Sequence, residues 1–283
     1  MEILVCIKQV PESNKVEVDP VTGVLNRSSA ASKMNPYDLY ALETALRLRQ
    51  ELGGRVSVMT MGPAQAEAVI REAYAMGADE GWLITDRRFG GADVLATSYT
   101  LSQGIRRAGP FDLILCGKQT TDGDTAQVGP ALAEHLGLPH AAWVSRLERA
   151  EGGLIAYQEL QSAIHAVFLP FPCLVTVEPL GKIPRRPLFP PGGMWYNNIL
   201  QKRRGEGERM SVHEGHRQRK KEQFREHGLD AFADQDEAHY GLNGSPTQVE
   251  RIFPPPSAPP AERYEGETAA EALVERLRAL KFL

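Results

Sequence analysis

Apolar positions in the first part of the chain come in short unbroken runs, at residues 2–7, 55–61, 81–85 and 111–115. Runs of that length without polar alternation suit strands covered on both faces. Between them the period changes to that of a helix. Asn35-Pro36 offers an N-cap with proline at the first helical position, and Leu39, Leu42 and Leu46 follow at helical spacing up to Gly53-Gly54. Residues 64–76 make a second helix closed by Gly77, and residues 94–107 a third, opened by Phe89-Gly90-Gly91-Ala92-Asp93 with Asp93 as its cap. A small hairpin is expected over 15–18 and 23–26, around Asp19-Pro20-Val21-Thr22. Strand and helix alternate four times, which predicts an α/β fold: a parallel sheet with helices on both faces.

After Pro139 the pattern turns to strands at 142–147, 154–160, 165–169 and 173–177, with Glu151-Gly152-Gly153 as a turn and the middle pair as a hairpin that extends or flanks the sheet. Beyond Gly181, Pro184, Pro187, Pro190 and Pro191 mark an irregular loop. Residues 201–240 are dense in charge and poor in Ile, Leu and Val, too poor for a core of their own. Pro254-Pro255-Pro256 and Pro259-Pro260 form an extended spacer before a final amphipathic helix at 267–280, with Ala270, Leu273, Leu277 and Leu280 on one side. The expected organisation is an α/β domain over 1–180, then a loop, a charged insertion and a C-terminal arm over 181–283 that pack on another subunit.

Charge and cysteine usage narrow the picture. With 32 Lys and Arg against 36 Asp and Glu, the net charge of −4 gives no reason to expect nucleic acid as a partner. Cys6, Cys116 and Cys173 lie in apolar runs without metal-ligand spacing, as small reduced core residues of a cytoplasmic protein would. His135, His140 and His165 stand singly, so no metal site is expected. No stretch approaches the length of a membrane span, and the start of the chain is a first strand and not a signal peptide.

The candidate chemistry sits after the fourth strand. No GxGxxG follows any strand and no GxxxxGK[ST] occurs, so a nucleotide would have to be held differently. In Cys116-Gly117-Lys118-Gln119-Thr120-Thr121-Asp122-Gly123-Asp124-Thr125-Ala126-Gln127-Val128-Gly129-Pro130 a strand end feeds a helix start, with Asp124 and Gln127 at capping-box spacing. The N–H groups of Thr125, Ala126, Gln127 and Val128 would then point outward and suit a phosphate, with Gly123 and Gly129 permitting close approach. Alternatively Pro130 is the first helical residue.

These residues meet others in order along the chain: Cys6-Ile7-Lys8-Gln9-Val10-Pro11, Met34-Asn35-Pro36-Tyr37-Asp38, Met61-Gly62-Pro63-Ala64-Gln65-Ala66, Ala75-Met76-Gly77-Ala78-Asp79, and Gly117-Lys118-Gln119 with the 122–130 loop. Together they make residues 1–179 resemble the beta subunit of the electron transfer flavoproteins. The resemblance implies a heterodimer with an alpha subunit that carries an FAD, and an adenine-nucleotide pocket in this chain. In the ordinary branch that pocket holds a structural AMP, and in the electron-bifurcating branch the AMP part of a second FAD. Contacts are implied at Cys6, Lys8, Asn35, Asp38, Met61, Gly117, Asp122, Gly123, Asp124, Thr125, Ala126, Gln127, Val128 and Gly129. The form of the loop, and Phe89 to Asp93 with Ala96-Thr97-Ser98, resemble the bifurcating branch, which adds Gly90, Gly91, Ala92, Asp93 and Thr97. Gly90-Gly91 before a helix would supply a second set of free N–H groups. In that branch NADH is the electron donor, and a dehydrogenase and a ferredoxin or other low-potential acceptor are the partners. No side chain need act as acid or base, so no catalytic residue is assigned. A regulatory protein sensing a nucleotide on a universal-stress-type fold is the alternative outside the family.

Overall fold

A computed structural model describes residues 1–12, 32–179, 224–248, 263–266 and 268–282. The hairpin expected at 15–26 and the loop after 180 lie outside the described residues. The chain divides into two compact units, Met1–Gln248 and Val249–Leu283.

The first unit is built on a nine-stranded sheet in the order β11-β5-β4-β1-β6-β10-β7-β8-β9. Its strands are β1 (Glu2–Cys6), β4 (Arg55–Met61), β5 (Glu80–Ile84), β6 (Leu113–Gly117), β7 (His140–Ala150), β8 (Gly153–Leu160), β9 (Ala163–Pro170), β10 (Cys173–Val177) and β11 (Phe224–His227). From β11 to β7 neighbours run parallel, and β7, β8 and β9 close the far side as an antiparallel meander. A short antiparallel pair, β2 (Gln9–Pro11) and β3 (Ser32–Met34), leads into the first helix.

Consecutive side chains of a strand face opposite sides, and both sides of the central strands are covered. Ile3, Val5, Val56, Val58, Leu113 and Leu115 pack under α1 (Pro36–Leu52) and α2 (Glu67–Met76). Leu4, Met59, Ile84, Ile114 and Leu174 pack under α3 (Val94–Ala108) and α4 (Val128–Leu136). The expected α/β fold with helices on both faces is therefore present. The fourth strand begins two residues later than its apolar run, because Asp112 accepts the N–H of Glu2 and sets Leu113 opposite Ile3. That shift brings its end to Gly117.

The main correction concerns residues 224–248, which composition assigned to an arm packing on another subunit. They instead complete this chain's own sheet. β11 pairs with β5, and Leu229, Phe232 and Tyr240 are buried in the core beneath α3 and α4. Phe89 stacks on Phe232 with ring centres 5.7 Å apart and lies 5.5 Å from Tyr240. Three apolar side chains are too few to build a core but enough to join one.

The second unit contains α5 (Ala269–Ala279), whose Leu273 and Val274 are exposed, as are Leu280 and Phe282 after it. Among the described residues no helix is long and apolar enough to cross a membrane.

Candidate functional site

The chain leaves β1 through α1 to β4 on one side, whereas β6 flanks β1 on the other. Such a reversal opens a crevice at the carboxyl ends of the strands, where ligands of open α/β sheets bind. Here the crevice lies between the ends of β1 and β6, where Cys6 and Cys116 are direct cross-strand partners. Cys6 is half-buried and Cys116 buried; the hydrogen bond with Cys6, then burial, pushes the Cys116 thiol up. Met61 ends the neighbouring strand, half-buried against the same core.

Beside these ends, four of the expected contacts form one network. Asn35 is fully buried and is the N-cap residue of α1, with Pro36 at the first helical position, but its side chain makes no cap bond. Its amide donates instead to Asp38 Oδ1 at 2.9 Å and to the Gln119 carbonyl at 2.8 Å, and its Oδ1 accepts the N–H of Thr121 at 3.3 Å. Asp38 Oδ2 accepts the N–H of Lys8 at 2.7 Å, and the Lys8 ammonium reaches both oxygens of Asp122 at 2.8 Å. Gly117 lets the end of β6 lie against the start of α1, since a Cβ there would stand 2.4 Å from Asp38 Oδ1 and 2.7 Å from the Tyr37 carbonyl carbon. Asn35, Asp38, Lys8 and Asp122 are thus tethers that pin the 117–122 loop to the strand ends.

Burial raises the Asp38 carboxyl to about 7, against the lowering effect of the bonds from Asn35 and Lys8. A carboxyl whose folded pKa lies above its unfolded value binds its proton more tightly when folded. Its contribution is therefore complete in acid and is lost as pH rises through about 7. In urea titrations, the stability of the wild type relative to Asp38→Asn should fall by about 3 kcal/mol between about pH 5 and about pH 8. A flat difference would contradict this. Asp122 behaves oppositely: burial would raise it, but the Lys8 hydrogen bond and charge hold it below the usual carboxylate range.

The loop then enters α4 differently from expectation. Asp124 is not the cap: its φ is +53° and its carboxylate accepts from Gln119 Nε2. Gln127 occupies the cap position without a side-chain bond, and the helix starts at Val128. Pro130 is therefore the third helical residue, where a missing N–H costs nothing. Ala126 has φ +55°, and two left-handed non-glycine residues so close together mark a backbone held for a purpose. Among the described residues, the N–H groups of Thr125, Ala126, Gln127 and Val128 have no hydrogen-bond partner. Gly129 permits α4 to approach β10, because a Cβ there would stand 2.4 Å from the Thr176 methyl. Free N–H donors at the positive end of a helix dipole suit a phosphate group, and no basic side chain is needed.

Gly90 to Asp93 and Thr97 lie apart from this group, at the start of α3 on the same face of the sheet. Of the N–H groups expected to be free there, those of Gly91 and Ala92 have no hydrogen-bond partner among the described residues, while two others are engaged. The N–H of Gly90 donates to Arg87 O and that of Asp93 to Ser245 Oγ at 2.9 Å, while Asp93 Oδ1 caps α3 by accepting from Ala96 at 3.1 Å. Burial pushes the Asp93 carboxyl up, but its hydrogen bonds from Thr247 and from the first turn of α3 outweigh this and hold it low. An ionised Asp93 answers the helix dipole and disfavours a further anion close beside it. Ser245 and Thr247 are its neighbours from a distant part of the chain. Gly244-Ser245-Pro246-Thr247 signals a turn, but nothing in its composition says where that turn docks.

Taken together, the sheet and its crevice define the doubly wound α/β proteins that bind ligands at a topological switch point. Within that class, residues 22–212 match the electron transfer flavoprotein domain, and the chain belongs to that family. It is similar to the electron transfer flavoprotein subunit beta of Thermoanaerobacterium thermosaccharolyticum, 40% identical over 99% of this chain and 98% of the relative. It is also similar to the caffeyl-CoA reductase-Etf complex subunit CarD of Acetobacterium woodii, 39% identical over 98% of both chains. Protein FixA of Bradyrhizobium diazoefficiens is 38% identical over 98% of this chain and 91% of its own. Family membership carries a general role in electron transfer, as the beta-type subunit beside an alpha subunit.

Proposed function

We propose that this chain is the FAD-binding beta subunit of an electron-bifurcating flavoprotein, taking electrons from NADH and passing them to two acceptors through its alpha subunit and a low-potential partner such as a ferredoxin. The observation that carries the reading is the set of N–H groups at Thr125 to Val128 that have no partner among the described residues, opening on the same sheet face as the capped turn at Gly90 to Asp93. The first suits a diphosphate and the second an uncharged ring. When bound, the flavin supplies the exchange between two-electron and one-electron transfer. The chain's own residues bind and orient. Lys8, Asn35 and Asp38 hold the loop, Gly117 and Gly129 permit its close packing, and Cys6 and Met61 line the strand ends. A relative named as a subunit of a reductase-Etf complex supports a reductase or dehydrogenase as partner. The three unpaired cysteines suit a reducing, cytoplasmic setting.

One observation favours a second reading, the ordinary carrier with structural AMP: the N–H groups at Thr125 to Val128 serve a single phosphate as well as a diphosphate. The test is the flavin count and visible spectrum of the heterodimer, co-expressed with its alpha subunit, before and after NADH. Two flavins, both bleached, are the expected result. A single flavin that NADH leaves oxidised would establish the AMP reading, and a colourless preparation would overturn both.

A further inference from the structure

The turn that opens α3 is held by more than an N-cap requires. Capping needs only the bond from Ala96 to Asp93 Oδ1. Yet the other oxygen of Asp93 accepts the Thr247 N–H at 3.1 Å and the Thr247 hydroxyl at 2.7 Å. The N–H of Asp93 is taken by Ser245 Oγ, and the Ser245 hydroxyl donates to Gly241 O at 2.6 Å. These partners lie more than 150 residues along the chain, which makes them no part of the local helix start. The backbones are fitted to each other as well. Gly241 has φ +54°, and a Cβ on it would stand 2.0 Å from Arg88 O and 2.8 Å from Gly90 O, while Leu242 lies over Gly91.

We propose that Ser245 and Thr247 are positioning residues of the crevice, which hold Asp93 and the Gly90-Gly91 turn in the shape that receives the ring half of a dinucleotide and so set the preference for FAD over AMP. The inference rests on the FAD reading above. Its geometric basis is the separation of the two helix starts. β5, which leads to α3, and β6, which leads to α4, are three strand steps apart, about 14 Å at the usual spacing. A mononucleotide seated at Thr125 to Val128 stops short of the braced turn; a dinucleotide spans the distance. A clasp at the α3 end therefore acts on the second ligand and not on the first.

The experiment titrates the full-length chain with FAD, followed by flavin fluorescence, and separately with AMP by calorimetry. Thr247 is exposed, so Thr247→Val removes one hydroxyl and leaves the fold intact. It should weaken FAD about tenfold, as loss of a hydrogen bond to a charged acceptor does. AMP affinity should stay within about twofold, and Thr247→Ser should restore FAD binding. Ser245→Ala, checked by its melting curve, should act in the same direction and alter the visible circular dichroism of bound flavin. If wild type binds FAD but both variants bind it equally well, or lose FAD and AMP in equal proportion, the clasp is overturned and the FAD reading stands. If wild type binds AMP and not FAD, that reading falls and the clasp falls with it.

Discussion

Replacing Gly117 by alanine should destabilise the chain by on the order of 3 kcal/mol and weaken nucleotide binding with it. The added methyl group would meet Asp38 Oδ1 at 2.4 Å, the Tyr37 carbonyl carbon at 2.7 Å and the Asp38 nitrogen at 2.8 Å. Two of these atoms are backbone of the first turn of α1, which is fixed by packing and cannot swing aside. To make room, α1 must back away from β6, and the bonds that Asp38 and Asn35 hold to Lys8, Gln119 and Thr121 stretch or break. A buried donor left without its partner adds its own cost of about 1–3 kcal/mol. Gly123→Ala is the control within the same loop. Its methyl group would meet only Thr120 Oγ1, at an ordinary 3.5 Å, so its effect should lie within about 0.5 kcal/mol. Urea denaturation of the two variants beside wild type makes the comparison. Equal stabilities for both would mean that β6 and α1 are not in contact at Gly117.

Tyr240→Ala should be as damaging, at about 3–5 kcal/mol, the range for removing a large buried aromatic. Tyr240 is fully buried, faces Phe89, Tyr99 and Phe232, and donates its hydroxyl to the Asp234 carbonyl at 2.6 Å. Its loss leaves a cavity beneath α3 and an unpaired carbonyl, and it frees the segment that braces Asp93. Tyr240→Phe keeps the ring and should lose about 1 kcal/mol, the worth of one hydrogen bond. Limited proteolysis provides an independent reading: cleavage within 224–248 should become fast in Tyr240→Ala and stay slow in Tyr240→Phe. A Tyr240→Ala chain as stable and as resistant as wild type would show that residues 224–248 do not pack on the sheet.

Much of the sheet was legible because its signals are local. β4 spans the same residues as its apolar run, and β10 does too. α1 starts at Pro36 after Asn35, and α3 after Asp93, for the reasons that proline and a short acidic side chain suit those positions. The crevice was legible to the same extent. Asn35, Asp38, Lys8 and the 117–129 loop could be picked out, and they do meet at one edge of the sheet. Their division of labour could not be read. Asn35 stands at the cap position of α1, but its side chain is spent on Asp38, Gln119 and Thr121 instead of capping. Asp124 had the capping-box spacing, and the loop instead runs through two left-handed residues to begin the helix at Val128.

What the chain's sequence determined by itself was the alternation of strand and helix, the glycines where backbones must nearly touch, and the order of motifs that marks the family. Hydrophobic period and turn chemistry act over a few residues, so a short stretch carries all the information they need. Only the tertiary structure decided that a charged segment after residue 223 would add a strand beside β5, bury Tyr240 against Phe89 and seat Ser245 and Thr247 on Asp93. Those contacts join parts of the chain more than 130 residues apart. Each rests on one or two side chains finding a complementary surface, and that surface exists only once the sheet has formed.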